Sequence, residues 1–261
     1  MGILNVTPDS FSDGGRYLRP RQAVDRALQM EEEGADLIDL GGESTRPGAA
    51  PVSAREEIRR ILPVLERIAG RLSVPISIDT SKAEVARAAL QAGAGLVNDV
   101  TALRDPRMSE VVARAKVPVI LMHMRGTPQT MQKNPRYRRL IPEILSELRQ
   151  AADRALAAGI SKEKILIDPG LGFGKRPEHN LGILKNLRLF KRMGYPVVIG
   201  PSRKSFIAYL LTRPAPAGDR LMGTAAAVAL GVAQGADVVR VHDVAQMRQV
   251  VDVTRAILEA S

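Results

Sequence analysis

Short apolar runs rich in β-branched residues alternate with longer stretches of helical period along this 261-residue chain, eight of each, and that alternation limits the fold more than any other feature. The runs are Gly2–Leu4, Leu37–Leu40, Pro75–Ile78, Gly95–Val97, Val117–Met122, Ile165–Ile167, Pro196–Ile199 and Val238–Val241. Between them, Ile58, Ile61, Leu62, Leu65 and Ile68 mark one helical face, and Ile144, Leu148, Ala151 and Ala155 another. Ser53 with Glu56 and Ser81 with Glu84 have capping-box spacing, and Pro63 predicts a kink or a late start in its helix. Strands separated by helices pair in parallel. At a length close to the ~250 residues typical of an eightfold unit, this predicts a closed α/β barrel, a (β/α)8 TIM barrel, as a single domain over residues 1–261. An open doubly wound sheet is the rival. It calls for a glycine-rich turn after the first strand, and Gly14 and Gly15 lie too far along and lack the G-x-G-x-x-G spacing.

A parallel barrel gathers the C-terminal ends of its strands on one face, where barrel enzymes carry their chemistry. The first polar residues at or beyond each run are Asn5, Glu43, Asp79, Asn98, His123, Asp168, Ser202 with Lys204, and Arg240 with His242. Singly, Asp79 and Asn98 read as turn or helix caps. Eight polar strand ends together, several with side chains useless as caps, predict a site. Two βα connections are long and rich in Gly, Ser and Pro: TPDSFSDGGRYLRP after Asn5 and GGESTRPGAAPV after Leu40. They place Phe11, Asp13, Thr45 and Arg46 over the mouth as a lid would.

Charge type divides these groups. Arg240 and His242, two residues apart, project to one side of their strand, and with Arg46 they predict a site for an anion such as a diphosphate, beside which Asn5 would hold an anion or a hydrated magnesium ion. Asp79 and Asp168 follow strongly apolar runs, and a carboxylate at that depth needs a partner. A guanidine-like heterocycle edge would meet it in bidentate fashion. With Asn98 and Lys204 they describe a slot for a flat, polar heterocycle.

The net charge of +10 admits an anionic substrate or a nucleic acid. The basic residues are spread over predicted helices, densest from Lys133 to Arg139, and are not interleaved with aromatics, so solvated helix faces and no nucleic-acid partner are expected. No apolar run reaches membrane-spanning length, and no export leader precedes the first run, so no membrane partner and a cytoplasmic protein are expected. The absence of cysteine excludes disulfides, thiolate metal sites and a cysteine nucleophile.

The segments MGILNVTPDSFSDGG, GGESTRPG, SIDTSK, NDV, MHMRGTPQTMQ, DPGLGFGK, GPSRKSF, GDRLMGTAAA and RVHDV, in this order over residues 1–244, resemble the dihydropteroate synthases, pterin-binding TIM barrels. The resemblance implies condensation of 6-hydroxymethyl-dihydropterin diphosphate with p-aminobenzoate, a reaction with which sulfonamides compete. It implies pterin contacts from Asp79, Asn98, Met122, Asp168, Lys204 and Arg240. Diphosphate falls to Asn5, Thr45, Arg46, Arg240 and His242, with Asn5 also holding Mg2+. The aminobenzoate pocket falls to Phe11, Thr45, Pro47, Phe173, Ser202 and Lys204. Asp13, Asp79, Asp168, Lys204 and Arg240 are the expected catalytic groups. The resemblance also implies a homodimer through later helices, where the Ala-rich stretch around residues 225–233 permits close packing. Leu171 and Ala208 depart from the family's usual Phe and Gly. The family also carries residues ahead of the first segment, so either the start lies upstream or the barrel floor closes differently. A methyltetrahydrofolate-using methyltransferase barrel, which shares the Asp/Asn slot, is the nearest alternative; it needs neither the two loops nor the Lys204 segment.

Overall fold

The computed structural model describes residues 1–7, 20–45, 47–211, 213 and 215–260. Its strands are β1 (Gly2–Asn5), β2 (Ile38–Gly41), β3 (Ile76–Asp79), β4 (Leu96–Asp99), β5 (Val119–Met122), β6 (Ile165–Asp168), β7 (Val198–Ile199) and β8 (Val238–Val239). Each lies within two residues or so of its expected place. β1 to β6 pair in parallel and in order, and β7 pairs with β8. Single parallel bridges, Ile167 to Val197 and Gly2 to Val241, join the two sheets at both seams. Around the second seam, Ile3 N donates to Val241 O and Val241 N to Met1 O, each at 2.9 Å. The circle is therefore complete, and the open-sheet alternative falls.

Alternation along the strands sorts side chains into an outer shell and a filled interior. Val97, Val119, Leu121 and Ile165 pack outward in a large cluster with the helices α1 (Pro20–Glu32), α2 (Ala54–Ile68), α3 (Ala83–Gln91) and α4 (Pro106–Ala115). Ile167, Val197 and Ile199 do the same beside α5 (Leu140–Ala157), α6 (Pro177–Lys185) and α7 (Leu187–Lys191). The remaining helices are α8 (Ser205–Leu210), α9 (Leu221–Ala233) and α10 (Val244–Glu259). On the inside, Met1, Leu96, Ile120 and Val198 meet Leu37, Leu166 and Val238 as an apolar floor. Two residues further along the same strands stand Asp39, Asn98, Met122, Asp168, Gly200 and Arg240. The interior is apolar at the bottom and polar one layer up.

Local expectations fared unevenly. Ser53 caps α2, its Oγ accepting from Glu56 N at 3.2 Å, while the Glu56 carboxylate turns to Arg59 and Arg60 instead of closing the box. Ser81 is not a cap: α3 has Lys82 at that position without a side-chain bond, and Lys82 N donates to Thr80 Oγ1. Pro63 sits inside α2, which starts at Ala54, so the late start does not occur.

Gly170, just after β6, has φ +71°, and a Cβ there would stand 2.0 Å from His123 O. Gly170→Ala is expected to cost at least ~2 kcal/mol, through left-handed strain and displacement of the β5 end. Urea unfolding of the variant beside the parent measures it.

Candidate functional site

Register aligns the polar layer. Asn5 lies opposite Gly41, Gly41 opposite Asp79, and Asp79 opposite Asn98; Met122 lies opposite Asp168. Gly41 matters because a Cβ there would come within 3.3 Å of Asn5 Oδ1 and 3.5 Å of Asp79 Cβ. Its missing side chain keeps the space between those residues open.

Arg240 crosses this layer. Its Nε donates to Asp39 Oδ2 at 2.6 Å and its Nη2 to Asp79 Oδ2 at 2.7 Å. Asp39 is fully buried, and its Oδ2 also accepts from Asn98 Nδ2 at 3.1 Å. That bond orients the Asn98 amide and leaves its carbonyl as the edge offered to a ligand. Asp79 Oδ1 is buried without a protein partner, an acceptor available to an N–H donor. Asp168 Oδ1 accepts from Gly170 N at 2.6 Å, and Lys204 Nζ stands 4.0 Å above the centroid of the Phe173 ring.

Burial controls the protonation equilibria here. It lifts Asp168 to about 6, against the pull of Gly170 N–H and of Lys204 and Lys175. It lifts Asp79 as well, with Arg240 opposing; the close guanidinium contact favours the carboxylate. Burial, then Arg240, brings Lys204 down to about 8 while Asp168 and Asp79 hold it up. His242 falls to about 3, from burial and from Arg240, and is a neutral imidazole. Its backbone N donates to Ser202 Oγ at 3.1 Å, and the same hydroxyl meets His242 Nδ1 at 2.9 Å.

The structure thus brings together Asn5, Asp79, Asn98, Met122, Asp168, Lys204, Arg240 and, at the rim, Ser202 with His242. Thr45 is half-buried and Pro47 exposed on the loop after β2, which rests on the far side of the mouth through Gly48 N to Pro128 O at 3.0 Å. Phe11, Asp13 and Arg46 lie outside the described residues.

Two strand-end expectations are corrected. Glu43 lies beyond β2 and turns away: Lys82 Nζ donates to Glu43 Oε2 at 2.8 Å and to the buried Glu57 Oε2 at 2.6 Å, and Val52 N donates to Glu43 Oε1. It pins its loop to the barrel wall. His123 follows the inward-pointing Met122, so the pleat sends it outward, where Nε2 faces Glu147 Oε2 of α5 at 3.1 Å and Nδ1 meets Lys175 Nζ at 3.0 Å. Asp39 and Lys175 are the residues sequence reasoning passed over. An acid inside the run LIDL, in phase with a strand's inner face, was the available signal for Asp39.

Comparison with known proteins agrees with the motif resemblance. A family model described as pterin binding enzyme matches residues 1–242. The dihydropteroate synthase of Synechocystis sp. is 48% identical over 258 residues, 98% of this chain and 89% of that protein. The crystal structure of Yersinia pestis dihydropteroate synthase with a sulfonamide drug complex superposes with a TM-score of 0.95 at 45% identity, covering 99% of this chain and 94% of that one. The Xanthomonas albilineans dihydropteroate synthase in complex with 7,8-dihydropteroate gives 0.90 at 43%, covering 100% and 93%.

Removing Asp39 strips Arg240 Nε and Asn98 Nδ2 of their shared acceptor inside the barrel. Asp39→Ala is expected to destabilise the fold by about 3 kcal/mol, the low end for breaking a buried ion pair because Asp79 still holds the guanidinium. Chemical denaturation gives the value; a loss under ~1 kcal/mol would contradict the buried network.

Proposed function

This chain belongs to the pterin-binding enzyme family, and from that membership we infer that it catalyses the dihydropteroate synthase reaction. It joins 6-hydroxymethyl-7,8-dihydropterin diphosphate to p-aminobenzoate and releases 7,8-dihydropteroate and pyrophosphate. The observation that carries the reading is the buried Asp79, Asn98 and Asp168 beside the half-buried Lys204, with Asp79 Oδ1 left as an open acceptor.

Asp79 and Asp168 receive the amino and ring N–H donors of the pterin edge, the Asn98 carbonyl accepts beside them, and Lys204 donates to a ring oxygen or nitrogen. Met122 and Arg240 flank the ring. The C–O bond between the exocyclic methylene and the diphosphate breaks, its electron pair leaving with the diphosphate. The ring delocalises the positive charge that develops, and the fixed carboxylates of Asp79 and Asp168, with Asp13 from the first loop, stabilise it. The aryl amine, neutral at pH 7, supplies the lone pair for the new C–N bond and then releases a proton. No strong base is required, which suits a site whose histidine is held neutral.

His242, Asn5, Thr45 and Arg46 receive the leaving diphosphate, with Arg240 adding its charge and the N–H groups that Asp39 and Asp79 do not take. Phe11, Thr45, Pro47, Phe173 and Lys204 line the aminobenzoate pocket. Ser202 supports it through the same strand end while bonding His242. Asn5 offers a single amide oxygen, and no cluster of three acidic or histidine ligands occurs among the described residues. That donor set fits a magnesium ion that takes most of its ligands from diphosphate and water. When bound it would offset charge on the leaving group.

No helix among the described residues is long and apolar enough to cross a membrane. Tyr209, Leu210, Met222, Leu230, Val253 and Ile257 are exposed on α8, α9 and α10, Met222 by 79%. We assign that face to a second copy of the chain, as the family resemblance implies. Met222→Glu is expected to shift the protein from dimer to monomer in light scattering.

Aminobenzoate-dependent pyrophosphate release from the pterin diphosphate tests the function directly; none under any magnesium concentration would overturn it. Asp168, lifted to about 6, protonates as pH falls through that value and then no longer opposes the developing cation. kcat/KM for the pterin diphosphate is expected to fall several-fold between pH 7.5 and 5. Asp168→Asn should be slow throughout and lack that fall.

A further inference from the structure

The loop after β6 and the segment between β5 and α5 are laced together by contacts that bond making and breaking in the reaction do not require. Gly170, Gly172 and Gly174 all have positive φ, so the backbone folds tightly there. Three successive carbonyls of this loop are then claimed by three side chains. Gln132 Nε2 donates to Gly172 O at 2.7 Å, Lys175 Nζ to Phe173 O at 2.9 Å, and Tyr137 OH to Gly174 O at 3.0 Å. Lys175 is buried, and its Nζ also reaches His123 Nδ1 at 3.0 Å and His123 O at 3.3 Å. One ammonium thereby spans the end of β5 and the loop. Below it, Phe173 packs with Val100, Met122, Met124 and Met131.

A lysine buried beside carbonyls and an imidazole, with no ion pair among the described residues, is an expensive way to fill space. Burial brings its ammonium down to about 7. Hydrophobic side chains would fill the same volume without that cost, but they would release the Phe173 carbonyl and the His123 ring.

We propose that Lys175 is a positioning residue for the aromatic-amine half of the reaction. With Gln132 and Tyr137 it sets where the Phe173 ring stands beneath Lys204 Nζ. The inference rests on the synthase reading for the identity of that amine. It also accounts for the segment MHMRGTPQTMQ, which becomes the abutment against which the wall of the second-substrate pocket is held. The pterin slot is carried by the strands, Met122 of β5 among them, and does not need the rest of that segment.

Steady-state kinetics on Lys175→Met, Gln132→Ala and Tyr137→Phe test this. The KM for p-aminobenzoate is expected to rise about tenfold in the first and about threefold in the other two, while that for pterin diphosphate stays within twofold. A purely structural role would lower kcat and melting temperature and leave both KM values in place. If Lys175→Met fails to fold, Gln132→Ala, at an exposed position, and Tyr137→Phe, which loses one hydroxyl, carry the test. Unchanged aminobenzoate KM values, or an equal rise for the pterin diphosphate, would overturn the proposal. Hydrogen exchange across residues 170–175 reads the clamp without turnover: faster exchange is expected in each variant, and unchanged protection would count against it. A parent enzyme with no aminobenzoate-dependent turnover but with the clamp's protection lost in the variants would sink the synthase reading alone.

Discussion

Arg240 between Asp39 and Asp79 is the contact on which the polar interior depends. β8 contributes only Val238–Val239 to regular pairing with β7, and a single bridge carries the seam to β1. A guanidinium reaching from the end of that strand to β2 and β3 ties the least-paired part of the barrel to the continuous six-stranded sheet. It also resolves a charge problem. Two aspartates one layer above an apolar floor cannot both remain ionised without a cation, and Arg is the cation that keeps its charge when buried. Burial opposes the charge on Arg240, and the two carboxylates more than restore it.

The rest of the site inherits that balance. Arg240 pairs with Asp39 and Asp79, the charges of Lys204 and Lys175 act on Asp168, and the two histidines at the strand ends are held neutral by burial. Compensated charge lets the slot present oriented dipoles and open acceptors without a large net field of its own. A cation developing on the ring meets carboxylates already in place, which avoids reorganisation during the reaction.

Much of this was legible from one sequence because strand alternation and strand-end chemistry are local properties. The eight runs became eight strands, and Asp79, Asn98, Asp168, Lys204 and Arg240 reached one face. What escaped was the phase of side chains within and beyond a run. Reading the first polar residue after β2 selected Glu43, which an ion pair with Lys82 draws to the wall. The inward carboxylate was Asp39, concealed inside an apolar run. His123 was chosen for its position and excluded by the pleat, since Met122 already held the inward place. Lys175 was invisible for another reason: its partners are backbone carbonyls and a ring from a different loop, and only the folded chain juxtaposes them.

The two halves of the site are built in different ways. The heterocycle slot stands on strands whose neighbours fix their register, so its groups are placed by backbone pairing and need little further support. The wall that carries Phe173 stands on a glycine-rich turn with no pairing of its own, and glycine that permits the turn also permits alternatives to it. Backbone freedom of that kind has to be removed by side chains. Donors from Gln132, Lys175 and Tyr137 at three adjacent carbonyls remove it, and the methionines beneath supply a surface that adapts to the ring. The cost of burying an ammonium follows from choosing glycine for the turn.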